Sequence, residues 1–154
     1  MDYVSKIVDY QDIKLKLLIW DTCGQERYNT LAKNMFKGTQ GIILVYDISN
    51  RDTFINVKKW SNHIKDSADK DVVVILVGNK SDKNGREVTY EEGDNVAKEC
   101  GFCFIEMSAK TDINIKEGFQ ILIEEMYKVF GKKLKSEKIE IISNRNNDNK
   151  KKCC

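Results

Sequence analysis

Two seven-residue runs, Gly41-Ile42-Ile43-Leu44-Val45-Tyr46-Asp47 and Val72-Val73-Val74-Ile75-Leu76-Val77-Gly78, are apolar without alternation and are bounded by turn-forming residues. A strand apolar on both faces has to be covered on both faces, which is the condition of a parallel strand with helices packed above and below it. Helical patterns lie between and after the runs. Phe54, Val57, Trp60 and Ile64 recur at three and four behind Ser49-Asn50-Arg51-Asp52, which has capping-box spacing. Thr89 and Glu92 form a second capping box, opening a helix that ends near Cys100-Gly101, and the strand Phe102-Cys103-Phe104-Ile105 follows it. Phe119, Leu122, Ile123, Met126 and Phe130 then share one helical face. Strands alternating with helices predict an α/β domain with a mostly parallel sheet flanked by helices. With 154 residues, 41% of them hydrophobic, the chain supports one buried core.

The first twenty residues read differently. Tyr3 to Tyr10 and Ile13-Lys14-Leu15-Lys16-Leu17 alternate, and Gln11-Asp12 between them predicts a hairpin turn. Leu18-Ile19-Trp20 is apolar on both faces, as in a strand entering a buried sheet. The other end changes character at Gly131, where the apolar periodicity stops. Residues 131–154 hold 8 basic and 3 acidic side chains, whereas residues 1–130 hold 18 basic and 21 acidic, so the near-neutral total conceals a basic tail. A domain over 1–130 and a flexible, hypervariable basic tail over 131–154 are expected, with Asn144 to Lys152 a linker. No apolar run approaches the eighteen or so residues of a membrane-spanning helix. The overall charge balance argues against a nucleic-acid partner. Five cysteines with no signal peptide imply free thiols in a reducing compartment. Cys100 and Cys103 form a lone C-x-x-C, short of the four ligands a structural zinc needs, and His63, the one histidine, is expected on the exposed side of its helix.

In an open parallel sheet, ligands bind beyond the carboxyl ends of the strands. Three polar clusters sit there: Asp21-Thr22-Cys23-Gly24-Gln25-Glu26-Arg27-Tyr28, Asn79-Lys80-Ser81-Asp82 and Glu106-Met107-Ser108-Ala109-Lys110. A carboxylate at a strand end such as Asp21 can hold Mg2+, directly or through water. Gly24 would let a backbone amide approach a phosphate with no side chain between, and Gln25 could orient a water for in-line attack. The same residues also fit an ordinary turn leaving a strand. Asp82 has two acceptor oxygens for the two N–H groups on the Watson–Crick edge of guanine, where adenine offers an acceptor instead. Lys80 could lay its aliphatic stem along a base with its ammonium in water. Asn79 stands beside it, and Ser108, Ala109 and Lys110 would bring backbone N–H groups to the same base.

Together these segments resemble the Rab branch of the Ras-like small GTPases. The string WDTCGQERY is similar to the family's metal-binding and second switch region, with Asp21, Gly24 and Gln25 at the Walker-B, γ-phosphate and water-orienting positions. Asn79, Lys80 and Asp82 match its guanine-specifying NKxD motif, and Ser108, Ala109 and Lys110 match its SAK loop. GIILVYDISNRDTF, from Gly41 to Phe54, is also typical, and Cys23 and Met107 depart from the usual Ala and Thr. The resemblance implies a P-loop-NTPase-like fold, GTP and GDP as ligands, Mg2+ as cofactor, and GTP hydrolysis in a switch that regulates vesicle-mediated transport. It also implies exchange factors, GTPase-activating proteins, GDP dissociation inhibitor and effectors as partners.

The sequence contains no Gly-x-x-x-x-Gly-Lys-Ser/Thr, and Met1 aligns inside the family's first switch. The family's first strand, P-loop and first helix are therefore absent from these residues. That strand belongs between the one ending at Trp20 and the one ending at Tyr46, so two unpaired edges are expected in mid-sheet. Charge-assisted hydrogen bonds contribute about 1.5–3 kcal/mol each, and without four or five of them, on the order of 6–12 kcal/mol, a nanomolar nucleotide site moves toward millimolar. Either the natural protein is longer, or the chain is a fragment acting as a non-catalytic, prenylated interaction protein that offers its Tyr28 to Phe36 surface. A phospho-acceptor receiver or a flavin domain lacks the acidic cluster or the motifs it would need.

Lys150-Lys151-Lys152-Cys153-Cys154 closes the chain. The terminal pair is similar to the double geranylgeranylation signal of Rab proteins, which implies Rab escort protein and geranylgeranyl transferase as partners. Two lipids and a polybasic run are the signals that stable anchoring takes. The cytoplasmic face of endomembranes, with cycling through the cytosol, is the implied location.

Overall fold

The computed structural model describes residues 3–11, 13–21 and 36–148, with side chains described as far as Gly131. An antiparallel hairpin comes first: β1 (Tyr3–Tyr10) and β2 (Ile13–Trp20) pair in unbroken register from Tyr3 opposite Trp20 to Tyr10 opposite Ile13. Gln11 turns the chain with φ at 50°, and Asp12 lies outside the described residues. The order then becomes β3 (Gly41–Asp47), α1 (Arg51–Ser67), β4 (Val73–Asn79), α2 (Tyr90–Cys100), β5 (Cys103–Glu106) and α3 (Ile115–Asp148). β3, β4 and β5 lie side by side in that order, all parallel.

Alternation along the strands sends side chains to two different layers. Leu44, Tyr46, Leu76 and Phe104 point to one face, where Phe54 and Val57 of α1 and Val96 and Ala97 of α2 cover them. Ile43, Ile75, Val77 and Ile105 point to the other, against Ile121, Leu122 and Met126 of α3. The helices therefore cover both faces, as the two apolar runs require. At one point the approach is closer than any side chain permits. A Cβ on Gly93 of α2 would stand 2.4 Å from the Tyr46 hydroxyl and 2.5 Å from the Phe104 ring.

The two runs look alike in sequence but are not equally buried. β4, central, is buried from Val74 to Gly78, whereas Val45 of β3 is 52% exposed. The reason is position: among the described residues, β4 has a neighbour on each side and β3 has one. The free edge of β3 lies where mid-sheet pairing was expected to fail, and among the described residues the hairpin forms a sheet of its own. Its doubly apolar end is correspondingly half bare, with Leu18 at 52% and Trp20 at 51% exposure, Trp20 sheltered by the Tyr3 ring at 4.9 Å. Tyr10 joins the hairpin to α3 through the Tyr127 ring, 5.0 Å away.

The capping box at Thr89 and Glu92 is present in both directions, each side chain accepting from the other residue's backbone N–H. At α1 the cap is Asn50 and not Ser49: the Asn50 side chain accepts from the Asp52 N–H at 3.0 Å. Ser49 is engaged elsewhere. α3 does not stop at Gly131 but continues to Asp148. Loss of apolar periodicity ends a packed face without ending a helix, because Lys and Glu are themselves good helix formers. His63, expected outward, is half-buried with its ring 5.8 Å from Trp60.

Candidate functional site

The carboxyl ends of β3, β4 and β5 form one rim, since parallel register sets Asp47 beside Asn79 and Gly78 beside Glu106. Asn79 ends β4 and its side-chain oxygen works twice. It accepts from the Lys80 N–H at 2.8 Å and from the Ala109 N–H at 3.2 Å, tying the two loops that follow β4 and β5. Lys80 occupies the left-handed region, φ 67°, a conformation the Asn79 contact holds. Asp82 is bonded across the same gap by the Ser108 hydroxyl at 2.5 Å, and the Ser108 oxygen in turn accepts from the Thr111 N–H at 3.2 Å. That hydroxyl bond, before any charge effect, holds the Asp82 carboxyl below its ordinary range. It stays an acceptor at neutral pH. Backbone bonds complete the seam, with Ser81 N–H donating to the Met107 carbonyl and Met107 N–H to that of Gly78.

Asn79, Lys80, Asp82, Ser108, Ala109 and Lys110 are thus brought to one place by two adjacent strands. Asp21 is exposed directly after β2, in the separate hairpin sheet. Gly24, Gln25 and the neighbouring Cys23 lie outside the described residues, as do Cys153 and Cys154. Met107 is buried in the α3-facing core, and a Cβ on Gly118 of α3 would stand 1.7 Å from its terminal methyl, so the long side chain is accommodated by a glycine opposite it. Cys100 and Cys103 are free, half-buried thiols. Burial, reinforced by Glu125, pushes the Cys103 thiol up, the opposite of a primed nucleophile. Among the described residues no three metal-ligating side chains cluster, and no helix is long and apolar enough to cross a membrane.

Sequence reasoning assigned no role to two further rim elements. Glu106 receives a two-pronged Arg86 guanidinium at 2.6 and 2.8 Å, and Arg86 also donates to the Val88 carbonyl, clamping the long loop after β4 to the end of β5. Asp47 holds the Lys80 ammonium at 2.5 Å and accepts from the Ser49 N–H and hydroxyl at 2.8 and 2.6 Å. The signal for Asp47 was available, because it is a polar residue ending an apolar run like the others. Desolvation pushes its carboxyl up, but the bonds from Lys80 and Ser49 outweigh it and hold the group down at about 2, against 3.8 ordinarily. A carboxylate depressed in the folded state contributes stability above the unfolded value that is lost as pH falls through the folded one. Acid unfolding of the wild type is therefore expected to steepen between about pH 4 and 2 relative to Asp47→Asn. Superimposable pH–melting curves would contradict the ion pair.

The family model described as the Ras family matches residues 1–128. The chain is 41% identical, over its whole length and 75% of the relative's, to the Ras-related protein SEC4 of Saccharomyces cerevisiae. To the Ras-related protein Rab-10 of Diplobatis ommata it is 38% identical, over its whole length and 78% of the relative's. It is also 38% identical to the Ras-related protein Rab2BV of Beta vulgaris, where 86% of the chain matches and spans 63% of that protein.

Proposed function

Because the chain belongs to the Ras family as a Rab-like small GTPase, we propose that its rim is a guanine-nucleotide site serving a GTP/GDP switch in vesicle-mediated transport. The observation that carries this reading is the Asn79–Ala109 and Asp82–Ser108 cross-bonding. It presents a fixed carboxylate and a fixed backbone loop side by side at the strand ends, an arrangement that can accept two N–H groups from one base edge. Lys80 supplies an apolar stem for the base plane.

Asp21 is an exposed, hard oxygen donor, the ligand type Mg2+ prefers, so the residues present fit the ion. Bound Mg2+ would neutralise charge on the β- and γ-phosphates. Gly24 would offer its amide to the γ-phosphate and Gln25 would orient the attacking water. A GTPase-activating protein, an exchange factor, GDP dissociation inhibitor and effectors are the partners this role calls for. Cys153 and Cys154, carrying two prenyl groups added with the help of Rab escort protein, would hold the chain on the cytoplasmic leaflet of endomembranes.

The test is selectivity. With the upstream phosphate-binding segment present, the protein titrated by calorimetry in Mg2+ is expected to bind GDP more tightly than ADP, and equal affinity for both sinks the proposal. A second reading, a prenylated interaction protein with little nucleotide binding, is favoured by the half-exposed Val45, Leu18 and Trp20 side chains. It predicts a lipidated, membrane-bound species that takes up neither nucleotide.

A further inference from the structure

One carboxylate gathers the cations of the loop after β4. Asp47 ends β3, stands opposite Asn79 in the sheet register, and its side chain is 15% exposed. One oxygen is filled by the Ser49 N–H and hydroxyl, and the other takes the Lys80 ammonium. Lys83 reaches the same cluster at one remove, its ammonium 3.3 Å from the Ser49 oxygen. Lys80 is thereby fixed at both ends, its backbone by Asn79 and its tip by Asp47. An unanchored lysine stem keeps several rotamers and loses them on binding, whereas a stem already stretched between two anchors presents a ready apolar wall.

We propose that Asp47 is a positioning residue for nucleotide recognition: it draws the Lys80 ammonium across from β4 to the end of β3, so that the lysine stem is laid out as one wall of the site before the ligand arrives. This rests on the guanine reading above, since a wall matters only if a base lies against it. The assignment differs from that of Asp82, which meets the base edge itself. Asp47 touches no ligand and acts through Lys80.

The experiment uses the protein carrying its upstream phosphate-binding segment, in Mg2+, as wild type, Asp47→Asn, Asp47→Glu and Asp82→Ala, with circular dichroism confirming the fold of each. Acylation of lysines by acetic anhydride, read by mass spectrometry, reports the anchor without any nucleotide. Lys80 is expected to react slowly in the wild type, several-fold faster in Asp47→Asn, and slowly again in Asp47→Glu, which restores the charge. GDP affinity is expected to fall about tenfold in Asp47→Asn, because the unanchored Lys80 stem then gives up its rotamers on binding, and to recover in Asp47→Glu. A merely structural aspartate would not move Lys80 reactivity and affinity together. Equal Lys80 labelling in wild type and Asp47→Asn overturns the anchor. GDP binding lost in Asp82→Ala but unchanged in Asp47→Asn overturns the positioning role and leaves the guanine reading standing. A wild type with no preference for GDP over ADP removes the guanine reading, and the positioning role with it.

Discussion

Leu76→Ala is expected to destabilise the protein by about 3–4 kcal/mol, the range in which a fully buried leucine is cut back to its β-carbon and the cavity only partly collapses. Leu76 has no exposed surface and sits on the central strand between α1 and α2, in contact with the cluster of Tyr46, Ile48, Val57, Val88 and Ala97. A domain stabilised by about 5–15 kcal/mol in total cannot lose that much without a large fall in midpoint. Urea denaturation followed by Trp60 fluorescence reads it directly, as a lower midpoint with an unchanged slope. The control is Val45→Ala on β3, from a run that looks just as apolar. Because Val45 is half exposed, its truncation is expected to cost under about 1 kcal/mol. Equal losses at the two positions would mean that the β3 edge is covered in the folded protein.

That pairing also marks how far the sequence carries. Both apolar runs form parallel strands, and the capping box of α2, the hairpin and the shared helical face of Leu122 and Met126 follow from spacing, because local periodicity and local chemistry decide them. What spacing does not encode is which strand gets two neighbours. Val45 and Leu76 have the same local signature and opposite burial, since an edge is a property of the whole sheet. The site divides the same way. Asn79, Asp82, Ser108 and Ala109 were legible as motifs at strand ends, and the structure adds that they bond one another. Asp47 and Arg86 were missed because their partners, Lys80 and Glu106, lie 33 and 20 residues away, and an ion pair between strands leaves no local pattern. Past Gly131 the apolar periodicity stops but the helix continues to Asp148, because the backbone there follows helix propensity.

Asp82→Asn is expected to exchange the base the site prefers, not merely to weaken it. The aspartate carboxylate offers acceptors only, and in the proposed site guanine would meet it with N1–H and the 2-amino group, two donors. An asparagine in the same rotamer offers one acceptor and one donor, so the 2-amino group of guanine faces an N–H and loses its partner. Xanthine carries a carbonyl at that position beside the same N1–H, and the asparagine amide matches it. The lost partner is one charge-assisted hydrogen bond at a half-buried carboxylate, so GDP affinity is expected to drop by roughly 10- to 100-fold while xanthosine diphosphate gains. The Ser108 bond is what makes the exchange clean. Its hydroxyl can donate to an amide oxygen as it does to the carboxylate, so the substituted side chain would keep its orientation and the loop its ties to β5. Competition of GDP, xanthosine diphosphate and ADP on wild type and variant decides it. Loss of GDP with no gain for xanthosine diphosphate would mean that Asp82 orders the loop through Ser108 without reading the base, and recognition would then have to come from Asn79 and Ala109.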